Sequence, residues 1–270
     1  MDASDGIRVG SSRRAVFAFV VATLALDGAA ALTVRDPTML QFALAFVPLI
    51  VAFACAVAFG GRDGLTGLLR RIAHWRTAPR WYLLALAIPF GATLAIVLLG
   101  VLAGTSAQRA LAEVSARPLV LLLVVFLPAL AEEIGWRGFA VQHLARTMSP
   151  LVVALVIGVA WTATHLPLYL EGQSLAAVAL WPLPLSIMGY SVLITWLYLR
   201  SGGSVLVATL FHAVSNAATP LTAGLPPAQA WELRGVVYAA LSIGLLLATR
   251  GDLIPRREPT PAIEPAPAVA

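Results

Sequence analysis

The sequence predicts an all-α, polytopic integral membrane protein of about eight transmembrane helices, with a polar site inside the bundle. Three observations carry this. First, 60% of the 270 residues are hydrophobic, only 11% are charged, and the mean hydropathy is +0.88; a soluble domain carries about 25% charged residues. Second, the apolar residues gather into runs of about 20, the length an α-helix needs to cross the hydrocarbon core. Third, all 18 basic residues are arginines, dispersed among the short segments between the runs. A sequence pI of 10.1 would otherwise point to nucleic acid. Dispersed arginines fit positive-inside topology instead, and no nucleic-acid partner is expected.

Residues 1–14 are polar, contain Arg8, Arg13 and Arg14, and are read as a cytoplasmic N-terminal segment. Run one, 15–34, ends among small residues and so has some character of a cleaved signal peptide; a retained first helix is expected. Its Asp27 is read as interfacial or as paired inside the bundle. Run two is 39–59. Residues 62–80 hold five arginines, with Leu65, Leu68, Leu69 and Ile72 at helical spacing, which predicts an amphipathic helix on the membrane surface. The later runs are 81–103, 117–131, 150–166, 183–199, 205–218 and 236–249. Residues 175–181 are apolar but short and are followed by Pro182 and Pro184, so a re-entrant or interfacial piece is expected there.

With eight crossings, fourteen arginines fall on the N-terminal side and four on the other, placing both termini in the cytoplasm. The absence of lysine, with abundant Ala, Gly, Val and Leu, points to a GC-rich bacterial genome and hence to the inner membrane. One transmembrane domain, 15–250 with its motif core at 119–218, is followed by a disordered Pro/Ala-rich tail, 251–270. The single cysteine, Cys55, lies in run two and leaves neither a disulfide framework nor a cysteine zinc site. It is read as a packing residue.

Run four leads without a charge from 119 to 131 into Glu132-Glu133-Ile134-Gly135-Trp136-Arg137-Gly138-Phe139. A carboxylate at that depth costs roughly 2.5–3.5 kcal/mol on insertion scales, so it needs a partner or a task. Glu133 and Arg137 stand at i and i+4 and can pair on one helical face. Glu132, about 100° round the helix, faces elsewhere. One carboxylate is therefore expected as structure and the other as chemistry. His165 closes run five, and His212 and Asn216 share a face of run seven. A lone intramembrane histidine is more often a packing residue. Two histidines, an asparagine and a carboxylate pair on three helices point to one shared polar chamber. His74 and His143 are read as interfacial or solvated, and Ser215 as bonded to backbone; no Ser or Cys nucleophile triad is in view.

Glu132-Glu133-x-x-x-Arg137, then an aromatic residue four positions before His165, then His212-x-x-x-Asn216 resemble the motifs of the CPBP intramembrane proteases. These are the CAAX protease and bacteriocin-processing proteins, also called the Abi or Rce1-like family. The resemblance covers roughly 119–218, with Trp161 standing where the family more commonly has Phe, a change expected to adjust packing. It implies that Glu132 and His165 activate water, that His212 and Asn216 stabilise the oxyanion or complete the polar site, and that Glu133 and Arg137 form the supporting ion pair. The family is often labelled metalloprotease. Zn²⁺ held by Glu132, His165 and His212 with an open position for water is one option; the absence of an HExxH pattern and a glutamate-type, metal-free mechanism is the other, and slightly favoured.

The expected activity is therefore intramembrane endopeptidase cleavage of a membrane-associated or lipid-anchored peptide or protein. A non-catalytic membrane scaffold or bacteriocin-immunity protein using the same fold is the alternative. A proton-coupled carrier is a third reading, disfavoured because no inverted repeat is visible and the polar residues cluster on three helices. The lipid bilayer is the one partner composition guarantees; oligomeric state is not encoded in any pattern found.

Overall fold

The computed structural model describes residues 6–111 and 117–254. The expected tail lies, from residue 255 onward, outside the described residues. Among those described, every one of the eight apolar runs is helical and the architecture is all-α. In chain order the helices are α1 (Val9–Thr33), α2 (Pro37–Ile72), α3 (Pro79–Leu102), α4 (Ala107–Leu111), α5 (Arg117–Glu133), α6 (Gln142–Leu144), α7 (Pro150–Thr164), α8 (Pro182–Arg200), α9 (Val205–Ala218) and α10 (Pro227–Ala248). Between α5 and α6 the chain continues as a π-helix, Ile134–Val141.

Six helices among the described residues are long and apolar enough to cross a membrane: α1, α2, α3, α8, α10, and α9 with its 3-10 extension to Thr222. α7 is shorter at 15 residues, and α5 has 17 before its π-helical continuation. The starts are set by local chemistry. Pro37 occupies the first turn of α2, where its missing N–H is no loss, and the Asp36 carboxylate accepts from the Met39 N–H at 2.8 Å. Ser149 with Pro150 opens α7 in the same way, its Oγ 3.5 Å from the Val152 N–H.

The helices sort into an inner and an outer set. Phe17, Leu32, Leu83, Leu102, Leu123 and Val159, on α1, α3, α5 and α7, are all largely exposed. In water such a surface would aggregate; against lipid tails it is the correct solvent match. α9 exposes no large apolar side chain among the described residues, and α8 is the most enclosed span. α8 packs on α7 and α10, while α9 packs on α5 and α3. The chemistry-bearing stretch of α5, the π-helix and α9 therefore lies away from lipid.

Residues 62–72 form, as expected, an amphipathic helix of their own, set off from the rest of α2 by a break at Gly61, whose φ of 59° and ψ of −142° suit glycine alone; the helix ends at Ile72 rather than running toward residue 80. The apolar face of this piece turns onto protein. Leu68 is fully buried beside Gly138, and the Arg71 Nε donates to the Gly138 carbonyl at 2.8 Å. Residues 170–181, which include the short apolar piece 175–181, form turns and bends. They are held by the Leu175 N–H on the Leu168 carbonyl at 2.9 Å and by the Gln173 amide on the Arg35 carbonyl at 3.3 Å.

Candidate active site

The site begins where α5 changes register. Wider π-helical turns are frequent at functional sites because they re-aim side chains that an α-helix would stack. Here they distribute one short sequence in three directions. Trp136 and Phe139 turn to α1, with ring centroids 5.2 and 5.4 Å from that of Phe19. Gly135 and Gly138 face α2: a Cβ on Gly135 would stand 2.6 Å from the Pro48 Cβ, and one on Gly138 3.3 Å from Leu68. Arg137 turns inward and is fully buried.

Inside, Arg137 donates from Nη1 to the Glu133 Oε1 at 3.1 Å, as the spacing predicts. The pair is not isolated. The His212 Nδ1 from α9 lies 2.9 Å from the same carboxylate oxygen, and the Arg137 guanidinium stacks 4.5 Å from the Trp161 ring centroid. Glu133, Arg137 and His212 are thus one buried network joining α5, the π-helix and α9. All three are at most 4% exposed. A carboxylate between an arginine and an imidazole is the arrangement that makes such burial tolerable.

Glu132 points away from this network, and half-buried it meets the second aromatic partner: the Trp161 indole N–H donates to its Oε2 at 2.8 Å. Trp161 therefore does more than adjust packing. One face of its ring carries Arg137 and its edge holds Glu132, so a single α7 side chain touches both members of the acidic pair's surroundings. Phenylalanine at this position has no donor for Glu132.

One turn on, His165 caps the C-terminus of α7. Its Nδ1 lies 2.9 Å from the Trp161 carbonyl, which fixes the proton on Nδ1 and leaves Nε2 as the open acceptor. His212 is tied in the parallel way through Nδ1 to Glu133. His165, His212 and Asn216 all line one cleft of about 100 Å³, with Trp161 and Tyr190 at its inner wall. Asn216 is the most exposed of the sequence-selected residues, while His212 is buried. Glu132 does not line this cleft; it is joined to it through the Trp161 indole N–H.

Among the described residues no group of three His, Cys, Asp or Glu side chains is placed to hold a metal ion; each of the two site histidines engages protein through Nδ1 and leaves Nε2 open. What the arrangement offers is a carboxylate with one uncommitted oxygen, an imidazole with an open Nε2, and polar groups across a small cleft.

Other expectations need correction. Ser215 does not bond backbone: its Oγ meets the Tyr238 hydroxyl at 2.8 Å and the Arg234 Nη2 at 2.9 Å. His143 is not solvated but 1% exposed, its Nδ1 2.7 Å from the Phe139 carbonyl. Asp27 is buried at 1% exposure, yet neither carboxylate oxygen has a hydrogen-bond partner among the described residues, so the expected pairing is absent. Tyr190, Tyr238 and Arg234 were not anticipated. Tyrosines in apolar runs read as packing, and Arg234 reads as one more loop arginine; its spacing of three from Trp231 and four from Tyr238 was the available signal.

Residues 114–218 match the family model described as Type II CAAX prenyl endopeptidase Rce1-like. Over 102 residues the chain is 30% identical to CAAX prenyl protease 2 of Methanococcus maripaludis, a stretch amounting to 35% of this chain and 38% of that relative's length. The resemblance to the CPBP, Rce1-like family read from the motifs is thereby borne out. The matched segment contains all three motifs, from Glu132 to Asn216.

Proposed function

Starting from an Rce1-like segment whose second and third motifs line one cleft and whose first motif bonds to residues of its wall, we propose that the protein is an intramembrane endopeptidase of glutamate type. It would hydrolyse a peptide bond in a membrane-associated or lipid-anchored peptide or protein. The observation that carries the reading is that His165 at the end of α7 and His212 and Asn216 from α9 line the same small cleft, and that Glu132 of α5 is hydrogen-bonded to Trp161, which lines it too.

In the proposed reaction Glu132 and the open Nε2 of His165 take a proton from water as its oxygen attacks the scissile carbonyl carbon. The carbonyl π bond breaks to an oxyanion, which Asn216 and His212 stabilise by donating hydrogen bonds. Glu133, 2.9 Å from the His212 Nδ1, is placed to offset positive charge on that ring. Collapse of the intermediate breaks the C–N bond, and the proton held at Glu132 or His165 passes to the leaving amine. Arg137 holds Glu133, and Trp161 holds Glu132. No step uses a metal, so exhaustive chelation of the purified protein should leave cleavage unchanged; loss of activity restored by zinc would replace this mechanism.

The cells are read as bacterial, with the protein in the inner membrane and both termini cytoplasmic. The decisive experiment is quantitative N-terminal proteomics on cells carrying wild type or Glu132→Ala at matched expression. Peptide termini confined to wild type establish the protease and name its substrate. Identical termini together with a phenotype that survives Glu132→Ala would establish the scaffold instead.

A further inference from the structure

We infer that Arg234 is the anchor for a carboxylate of the substrate, set beside the cleft so that the peptide bond nearby is presented in a defined register. This rests on the peptidase reading above. Arg234 lines the cleft that also holds His165, His212 and Asn216. Its Nη2 donates to the Ser215 Oγ at 2.9 Å and its Nη1 to the Thr219 Oγ1 at 3.1 Å. Trp231 and Tyr238, one turn to either side on α10, place ring centroids 5.9 and 5.5 Å from the guanidinium carbon.

These contacts orient the guanidinium without neutralising it. Both acceptors are neutral hydroxyls, and among the described residues no carboxylate forms an ion pair with Arg234. The contrast with Arg137 is instructive: that guanidinium is fully buried and paired with Glu133. Ionisable side chains in a bundle that face a cavity without an internal partner mark pathways for charged ligands. Of five guanidinium N–H groups two are engaged, leaving three donors in the planar fork that matches a carboxylate. The small size of the cleft keeps that carboxylate within a few residues of the scissile bond. The α-carboxylate of a peptide C-terminus and an Asp or Glu side chain offer the same chemistry.

The test starts from the strongest cut site separating wild type from Glu132→Ala in cells. A peptide spanning it is made as the free acid, as the C-terminal amide, and with each nearby Asp or Glu replaced by its amide. Each is assayed with purified wild type, Arg234→Gln and Arg234→Lys. We expect one neutralised peptide to be cleaved at least tenfold less efficiently by wild type, and Arg234→Gln to treat acid and neutral forms alike. Arg234→Lys should retain part of the preference. Because each ratio is taken within one variant, a lowered folded fraction does not affect it. C-terminal amidation being the sensitive change identifies the chain end; a side-chain replacement identifies an internal acid. A preference for acid that survives in Arg234→Gln overturns the proposal. So does a wild type that shows no preference. If no cut site separates wild type from Glu132→Ala, the peptidase reading itself falls.

Discussion

At the scale of single residues, the acidic pair divides its labour by direction. Glu133 looks into the bundle and binds Arg137 and His212; Glu132 looks toward the cleft wall and binds Trp161. Removing one partner of a buried charge pair costs about 3–5 kcal/mol because the other is left unpaired. Glu133→Ala and Arg137→Ala should therefore lower the thermal midpoint and the folded yield in detergent. Glu132→Gln should abolish cleavage while leaving both unchanged. Unaltered stability in the first two variants would show that the network is not structural. Trp161→Phe keeps the ring and deletes one N–H donor. With a hydrogen bond to a charged group worth about 1.5–3 kcal/mol, cleavage should fall roughly tenfold or more with the fold intact. An unchanged rate would reduce Trp161 to packing. The Glu133–Arg137 pair was legible in the sequence because its members are one turn apart on a single helix. The Trp161–Glu132 contact was not: its partners are 29 residues apart, on helices whose mutual rotation no local pattern encodes.

At the scale of elements, the motif helix is shaped by what presses against it. Gly135 sits where α2 passes at Pro48, and an added Cβ would lie 2.7 Å from the Pro48 carbonyl oxygen as well as close to its ring. Backbone cannot move aside as a flexible side chain can, so Gly135→Ala should destabilise by about 1–3 kcal/mol. Its effect on cleavage should exceed that of Gly91→Ala on α3, where an added Cβ meets nothing within 4 Å. Equal behaviour of the two variants would show that the close approach of α2 does not set the motif geometry. Gly189 plays the corresponding part between α8 and α10, with an added Cβ 2.4 Å from the Tyr238 carbonyl. That contact seats the α10 face carrying Trp231, Arg234 and Tyr238. Run periodicity located each of these helices, but not the change to π-helical turns at Ile134–Val141. One extra residue per turn leaves no mark in hydropathy, and the expected i, i+4 pairing survives it.

At the scale of the whole molecule, the lipid-facing helices enclose α8 and α9 and leave the polar groups to find partners inside. The arginine bias argues for cytoplasmic termini, and it holds even though Arg137, counted in a loop, is in fact buried in the network. A reporter fused after Ala248 should be active in its cytoplasmic form, and one inserted at residues 171–174 in its exported form. The opposite pattern would invert the topology and put the cleft on the other face of the membrane.

Composition and run length by themselves determined that this is a helical membrane protein, because a bilayer admits few other ways to satisfy the backbone over apolar runs of this kind. The order of the motifs determined which family it resembles, since those residues are short-range patterns on successive helices. The tertiary structure alone decided which side chains share a cleft. It joined His212 to Glu133, set Trp161 between Glu132 and Arg137, and brought Arg234 of α10 to the hydroxyls of Ser215 and Thr219. The physical reason is that each of these contacts depends on how one helix is rotated and set against another. That is fixed by close approaches at Gly135 and Gly189 and by interdigitated rings, quantities that exist only once the helices have packed.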